Sequence, residues 1–213
     1  MAHIESFSLL FNLRIQASLS IPKLDIIPKF RKGEITSLLM KHVRFHNYLE
    51  TFLSMKYDVK IIALIRNPCG AINSLISNPR EYPPEYIGTN HWITGGYKEK
   101  DQYFGYDGWK KSTDIFLDLK KQYPKNVMII KYEEIVKDTG ILFDLFNFLE
   151  YRVSKSVFEF YNDSHNPNKT NDSHTGVYKD TNVTDKWKDE LDPSIQKYII
   201  DDIKGTKYEQ FLI

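Results

Sequence analysis

Residues 59–77 read VKIIALIRNPCGAINSLIS. From Val59 to Ile65 the run is apolar except for Lys60. A short Ile- and Val-rich run of this kind fits a strand buried on both faces, as in a parallel sheet. Asn67 suits an N-cap and Pro68 a first helical position, so the strand feeds straight into a helix that carries Ser74. Arg66 then stands at the carboxyl edge of the sheet beside a helix N-terminus. Both features favour a bound anion, and open α/β folds place ligands at this edge. The stretch reads as half of a nucleotide or phosphate site.

The rest of the composition is that of a soluble globular protein. The 213 residues are enough for one substantial domain or two small ones, with 41% hydrophobic and 27% charged residues. A net charge of +1 gives no global field toward nucleic acid or an anionic membrane. No apolar run approaches the length of a membrane span, and the N-terminus lacks the basic flank and cleavage site of a signal peptide. Cys69 is the one cysteine, which excludes an internal disulfide and favours a reducing, cytoplasmic location. A thiol at a helix start would be acidified. With no histidine in register to activate it, Cys69 reads as a small packing residue.

Outward from the central stretch, Phe7 to Leu19 has helical spacing, and Pro22, Pro28 and Gly33 break the pattern after it. Residues 1–34 are expected to form a helix and an irregular segment, with an α/β domain over residues 35–213. Ile35 to Phe45 reads as a strand ending at Lys41-His42, and His46 to Lys56 as a short helix. Asn78 to Tyr103 mixes prolines and glycines with Tyr82, Tyr86, His91, Trp92 and Tyr97, which predicts an ordered loop covering a ligand. Phe104 to Tyr123 resumes helical spacing, Asn126 to Tyr132 is a third buried strand, and Glu133 to Glu150 a helix. Residues 162–186 are polar and irregular, and Asp192-Pro193 opens a last helix. Strands alternating with helices mean a largely parallel sheet flanked by helices.

Four features in this order are more specific. Arg66 precedes Ser74 across a turn of the form RNPxxAxxS; Tyr132-Glu133-Glu134 joins a strand to a helix; Trp187 lies in DKWKDEL ahead of Asp192-Pro193; and Lys41-His42 ends the strand before the central one. From about Ile35 to the C-terminus the chain resembles the sulfotransferase family. That family moves a sulfuryl group from 3′-phosphoadenosine 5′-phosphosulfate to a hydroxyl or amine, on a P-loop-type α/β fold and with no metal. The resemblance implies that Arg66 and Ser74 hold the 3′-phosphate. A planar guanidinium grips a compact dianion bidentately, and a hydroxyl two turns along adds a neutral donor. It implies that Tyr132 lies beside the adenine, and that residues 173–187, with Trp187, close over the nucleotide. Where the family carries Arg-Lys-Gly in that loop this chain has Asp180-Thr181-Asn182, which leaves Lys179 as the neighbouring cation. His42 stands near the family's catalytic histidine, with His46 as a rival base and Lys41 as a source of positive charge. Glu133 and Glu134 read as helix-start acids without chemistry.

Residues 1–34 contain no Gly-rich or Arg-Ser-Gly-Thr-like loop for the 5′-phosphosulfate, and Gly33 is the first glycine. The expectation is therefore a fragment without its first strand–loop–helix, or a divergent member that lost the donor half of the site. A small-molecule acceptor such as a sugar fits the active enzyme. A non-catalytic nucleotide-binding module is the alternative, and the missing Gly-x-x-x-x-Gly-Lys loop counts against a small-molecule kinase. Sequons at Asn162, Asn168, Asn171 and Asn182 read as part of an Asn-rich surface loop.

Overall fold

Ile61–Ile65 forms β1 and Val127–Lys131 forms β2, paired in parallel with Ile61 opposite Val127 and Ile65 opposite Lys131. The computed structural model describes residues 39–41, 46–55, 58–95, 104–164 and 184–212. The chain divides into Met1–Lys41 and His42–Ile213, and both strands belong to the second unit. Among the described residues of that unit the α-helices are α1 (Leu49–Leu53), α2 (Pro68–Ile76), α3 (His91–Thr94), α4 (Gly105–Gln122), α5 (Tyr132–Lys137), α6 (Gly140–Phe148), α7 (Lys155–Ser164), α8 (Trp187–Glu190) and α9 (Pro193–Ile203).

Parallel pairing needs a crossover, and α2, α3 and α4 supply it between the two strands. Asn126 sets the start of the pairing. Its carbonyl accepts from the Ile61 amide at 2.7 Å, and its side-chain amide donates to the Val59 carbonyl at 3.0 Å. One sheet face packs on α4, where Ala63 and Ile65 meet Phe116, and Ile61 and Val127 meet Leu119. On the other face Leu64 stays 51% exposed, so β1 is not buried on both faces by the described residues.

A second core lies around α2: Cys69, Ile72 and Leu75 pack with Tyr82, Trp92, Tyr106, Trp187, Leu191, Ile199 and Ile203. Tyr82 and Trp92 of the aromatic stretch after α2 are buried in this core, and residues 96–103 of the stretch lie outside the described residues. Gly95 and Gly105 close this stretch by touching backbone to backbone. Both have positive φ, and a Cβ on Gly95 would stand 2.7 Å from the Phe104 carbonyl carbon.

Three expectations need correction. Leu39–Lys41 carry no strand, and the rest of the 35–45 run lies outside the described residues. The helix expected over Glu133–Glu150 is two helices, because the Asp138 carboxylate accepts from the Gly140 amide at 2.7 Å and turns the chain between α5 and α6. The polar irregular region was expected to begin at residue 162, but α7 continues to Ser164.

Candidate functional site

The register of the sheet builds the site. Because Ile65 pairs with Lys131, the next residues of each strand, Arg66 and Tyr132, leave the sheet side by side. The Arg66 guanidinium lies over the Tyr132 ring, 5.0 Å from its centroid. A cation over an aromatic face is held by the ring quadrupole, which fixes the guanidinium plane without consuming its donors. The Arg66 carbonyl accepts from Trp109 Nε1 on α4 at 2.9 Å, which pins the backbone at the strand end.

The turn into α2 is tied to the turn into α5. Asn67 is buried, and its side-chain oxygen caps α2 by accepting from the Cys69 amide at 2.9 Å and the Gly70 amide at 3.3 Å. Its own amide donates to Glu133 Oε1 at 2.9 Å. Glu133 is thus a positioning residue rather than a surface acid at a helix start, and sequence reasoning missed it because its partner lies 66 positions away. Burial pushes its carboxyl above the ordinary value of 4.5, opposed by the amide bond from Asn67 and the charge of Arg66. Tyr132 is also pushed up by burial, with Arg66 pulling the other way.

The cap changes how an anion would be held. Pro68 has no N–H, and the next two amides of α2 are taken by Asn67. The expected anion site at this helix N-terminus is already satisfied by the protein, so side chains must do the binding. They converge over Gly70. A Cβ there would stand 3.1 Å from Arg66 Nε and 3.5 Å from Trp187 Cδ1. Gly70 was not singled out in the sequence, although a glycine in the first turn of a helix is a signal, because it carries a propensity penalty. Ser74 is exposed and lies one turn beyond Gly70 on the same face of α2, so it continues the surface that the Arg66 side chain crosses.

Trp187 reaches α2 from the far end of the chain. It is 8% exposed and belongs to the core, and Asn73 Nδ2 donates to Glu190 Oε2 at 2.8 Å to hold α8 on α2. Cys69 is fully buried and its thiol is pushed up to about 12 by burial, which agrees with a packing role. His46 packs edge-on against Phe116 on α4, with ring centroids 4.9 Å apart. Lys41 is exposed in the other unit, and His42 and Lys179 lie outside the described residues. No group of three or more His, Cys, Asp or Glu among the described residues is placed to hold a metal ion. No helix among them is long and apolar enough to cross a membrane.

A family model described as a sulfotransferase domain matches residues 21–211. The chain belongs to the sulfotransferase domain family. The resemblance carried by Arg66, Ser74, Tyr132 and Trp187 is thereby shown at the level of the family, and the fold is an α/β sulfotransferase fold with a parallel sheet flanked by helices. Sulfuryl transfer is the general chemistry of that family, and a small-molecule acceptor is what it implies. No curated protein and no solved structure gives a significant match.

Proposed function

We propose that the protein transfers a sulfuryl group from 3′-phosphoadenosine 5′-phosphosulfate to the hydroxyl of a small acceptor, for which a sugar is one candidate. The observation that carries this reading is the meeting of Arg66 and Trp187 over Gly70, with the Arg66 guanidinium over the Tyr132 ring, at the carboxyl ends of two parallel strands. Arg66 offers a planar cationic fork for a phosphate. In the proposed site it holds the 3′-phosphate, with Ser74 as a neutral donor one turn beyond Gly70. Tyr132 gives one face to Arg66, which leaves the ring's other face or edge for the adenine.

In the reaction an acceptor oxygen attacks sulfur in line as the bond from sulfur to the 5′-phosphate oxygen breaks. The acceptor's proton passes to a base, and a cation balances charge on the leaving oxygen. His42 or His46 is proposed as the base, and Lys41 or Lys179 as further positive charge near the anions. A nucleotide-binding module without transfer activity is the second reading. It is favoured by His46 being packed on Phe116 rather than standing open.

Calorimetric titration with adenosine 3′,5′-bisphosphate tests the site. The wild type should bind and Arg66→Ala should lose at least tenfold in affinity, as removal of a charge-assisted pair requires. A folded wild type that does not bind would overturn the nucleotide reading. Transfer of labelled sulfate to a panel of sugars and phenols then separates enzyme from binding module.

A further inference from the structure

Trp187 buries an indole N–H that has no hydrogen-bond partner among the described residues. The ring is 8% exposed. Buried donors are almost always paired, and leaving one unpaired penalises the fold. A shift of the ring is not a cheap remedy, because its helix is tied down on several sides. Asn73 holds Glu190 at 2.8 Å, and Lys188 holds Asp185 at 2.6 Å. Gln196 Nε2 donates to the carbonyls of Trp187 at 3.2 Å and Leu191 at 2.7 Å.

The position of the ring explains the missing partner. Cδ1, the atom bonded to Nε1, lies 3.5 Å from where a Cβ on Gly70 would stand, and Arg66 Nε lies 3.1 Å from the same point. Two nitrogen-bearing side chains therefore meet over Gly70, where an added Cβ would be tight against Arg66. The backbone amides of the α2 start are already used by Asn67, so a phosphate here must take its donors from side chains. A guanidinium fork engages two phosphate oxygens at once and leaves the third to a neutral donor.

We propose that Trp187 Nε1–H donates to the phosphate oxygen that the Arg66 fork leaves over, so that Trp187 and Arg66 form one anion hole above Gly70. The inference rests on the 3′-phosphate reading of this site and assigns Trp187 a direct hydrogen bond to the phosphate, beyond closing over the nucleotide. It makes Trp187 a determinant of selectivity for nucleotides bearing a 3′-phosphate.

The experiment compares wild type with Trp187→Phe, titrating each with adenosine 3′,5′-bisphosphate and with adenosine 5′-monophosphate and following thermal unfolding without ligand. Phenylalanine keeps an aromatic ring but deletes the donor. The expected result is an about tenfold loss for the bisphosphate and none for the monophosphate. Should Trp187→Phe unfold, 3-benzothienylalanine at the same position keeps the ring shape with sulfur in place of N–H, and the same titrations apply. Loss of both ligands in parallel, or bisphosphate binding equal to wild type, would overturn the role of Trp187 while leaving the 3′-phosphate site standing. No bisphosphate binding by the folded wild type would instead overturn the site reading, and this inference with it.

Discussion

Replacing Gly70 with alanine should separate the stability of α2 from the use of its surface. In a helix interior alanine is favoured over glycine by about 1 kcal/mol. Here the new methyl would stand 3.1 Å from Arg66 Nε and 3.5 Å from the Trp187 ring. Arg66 Nε must give by a few tenths of an ångström while the Trp187 ring stays at ordinary contact distance, and Arg66 belongs to the proposed anion hole. The expected outcome for Gly70→Ala is a melting temperature within a few degrees of wild type and at least a tenfold loss of bisphosphate affinity. Unchanged affinity in a titration would show that Arg66 does not use the space over Gly70. RNPxxAxxS in the sequence already singled out Arg66 and Ser74. Gly70 could not be weighed until Arg66 was seen to fold back across it.

At the scale of elements, the bond from the Asn67 amide to Glu133 joins two strand-to-helix turns into one platform. Glu133 is buried, and burial raises its carboxyl above 4.5 in the folded protein. A carboxyl that holds its proton more tightly when folded favours the folded state where it is protonated. That contribution is fully present below about pH 4.5, the unfolded value, and is lost as the pH rises through the raised folded value. Glu133→Gln keeps an oxygen to accept from Asn67 and carries no charge at any pH. Urea unfolding of wild type and Glu133→Gln across pH 4–7 should show the wild type losing stability relative to the variant as the pH rises. Parallel curves would mean that Glu133 carries no burial penalty. The sequence marked Glu133 only as an acid at a helix start, since nothing local reveals a partner in another strand-to-helix turn.

For the whole molecule, the C-terminal helix α9 supports the site from a distance. Ile199 and Ile203 are fully buried in the cluster that also holds Cys69, Ile72 and Trp187, and Tyr106 donates to Asp202 at 2.7 Å to join α4 to α9. Ile203→Ala should lower unfolding stability by about 2–5 kcal/mol, the usual range for truncating a buried isoleucine. Because α8 runs directly into α9, nucleotide affinity should fall too if the core carries Trp187. A shift in the urea midpoint with unaltered affinity would show that Asn73 and Glu190 alone hold α8 in place.

Short-range signals determined much of this protein by themselves. The apolar run ending at Ile65, the Asn67-Pro68 helix start and the Asp192-Pro193 start are local preferences, and each appears where the residues dictate. The spacing of Arg66 from Ser74 and the later Tyr132 and Trp187 were enough to indicate the family. A strand over Ile35 to Phe45 was expected from the same kind of pattern, yet the described residues Leu39–Lys41 carry none, because an apolar run fixes no pairing partner. Only the tertiary structure decided how the site is made. The parallel register set Arg66 over Tyr132, Asn67 filled the helix start that was expected to hold an anion, and the core brought Trp187 to Gly70. Each of these depends on contacts between residues far apart in sequence, which local propensity does not encode.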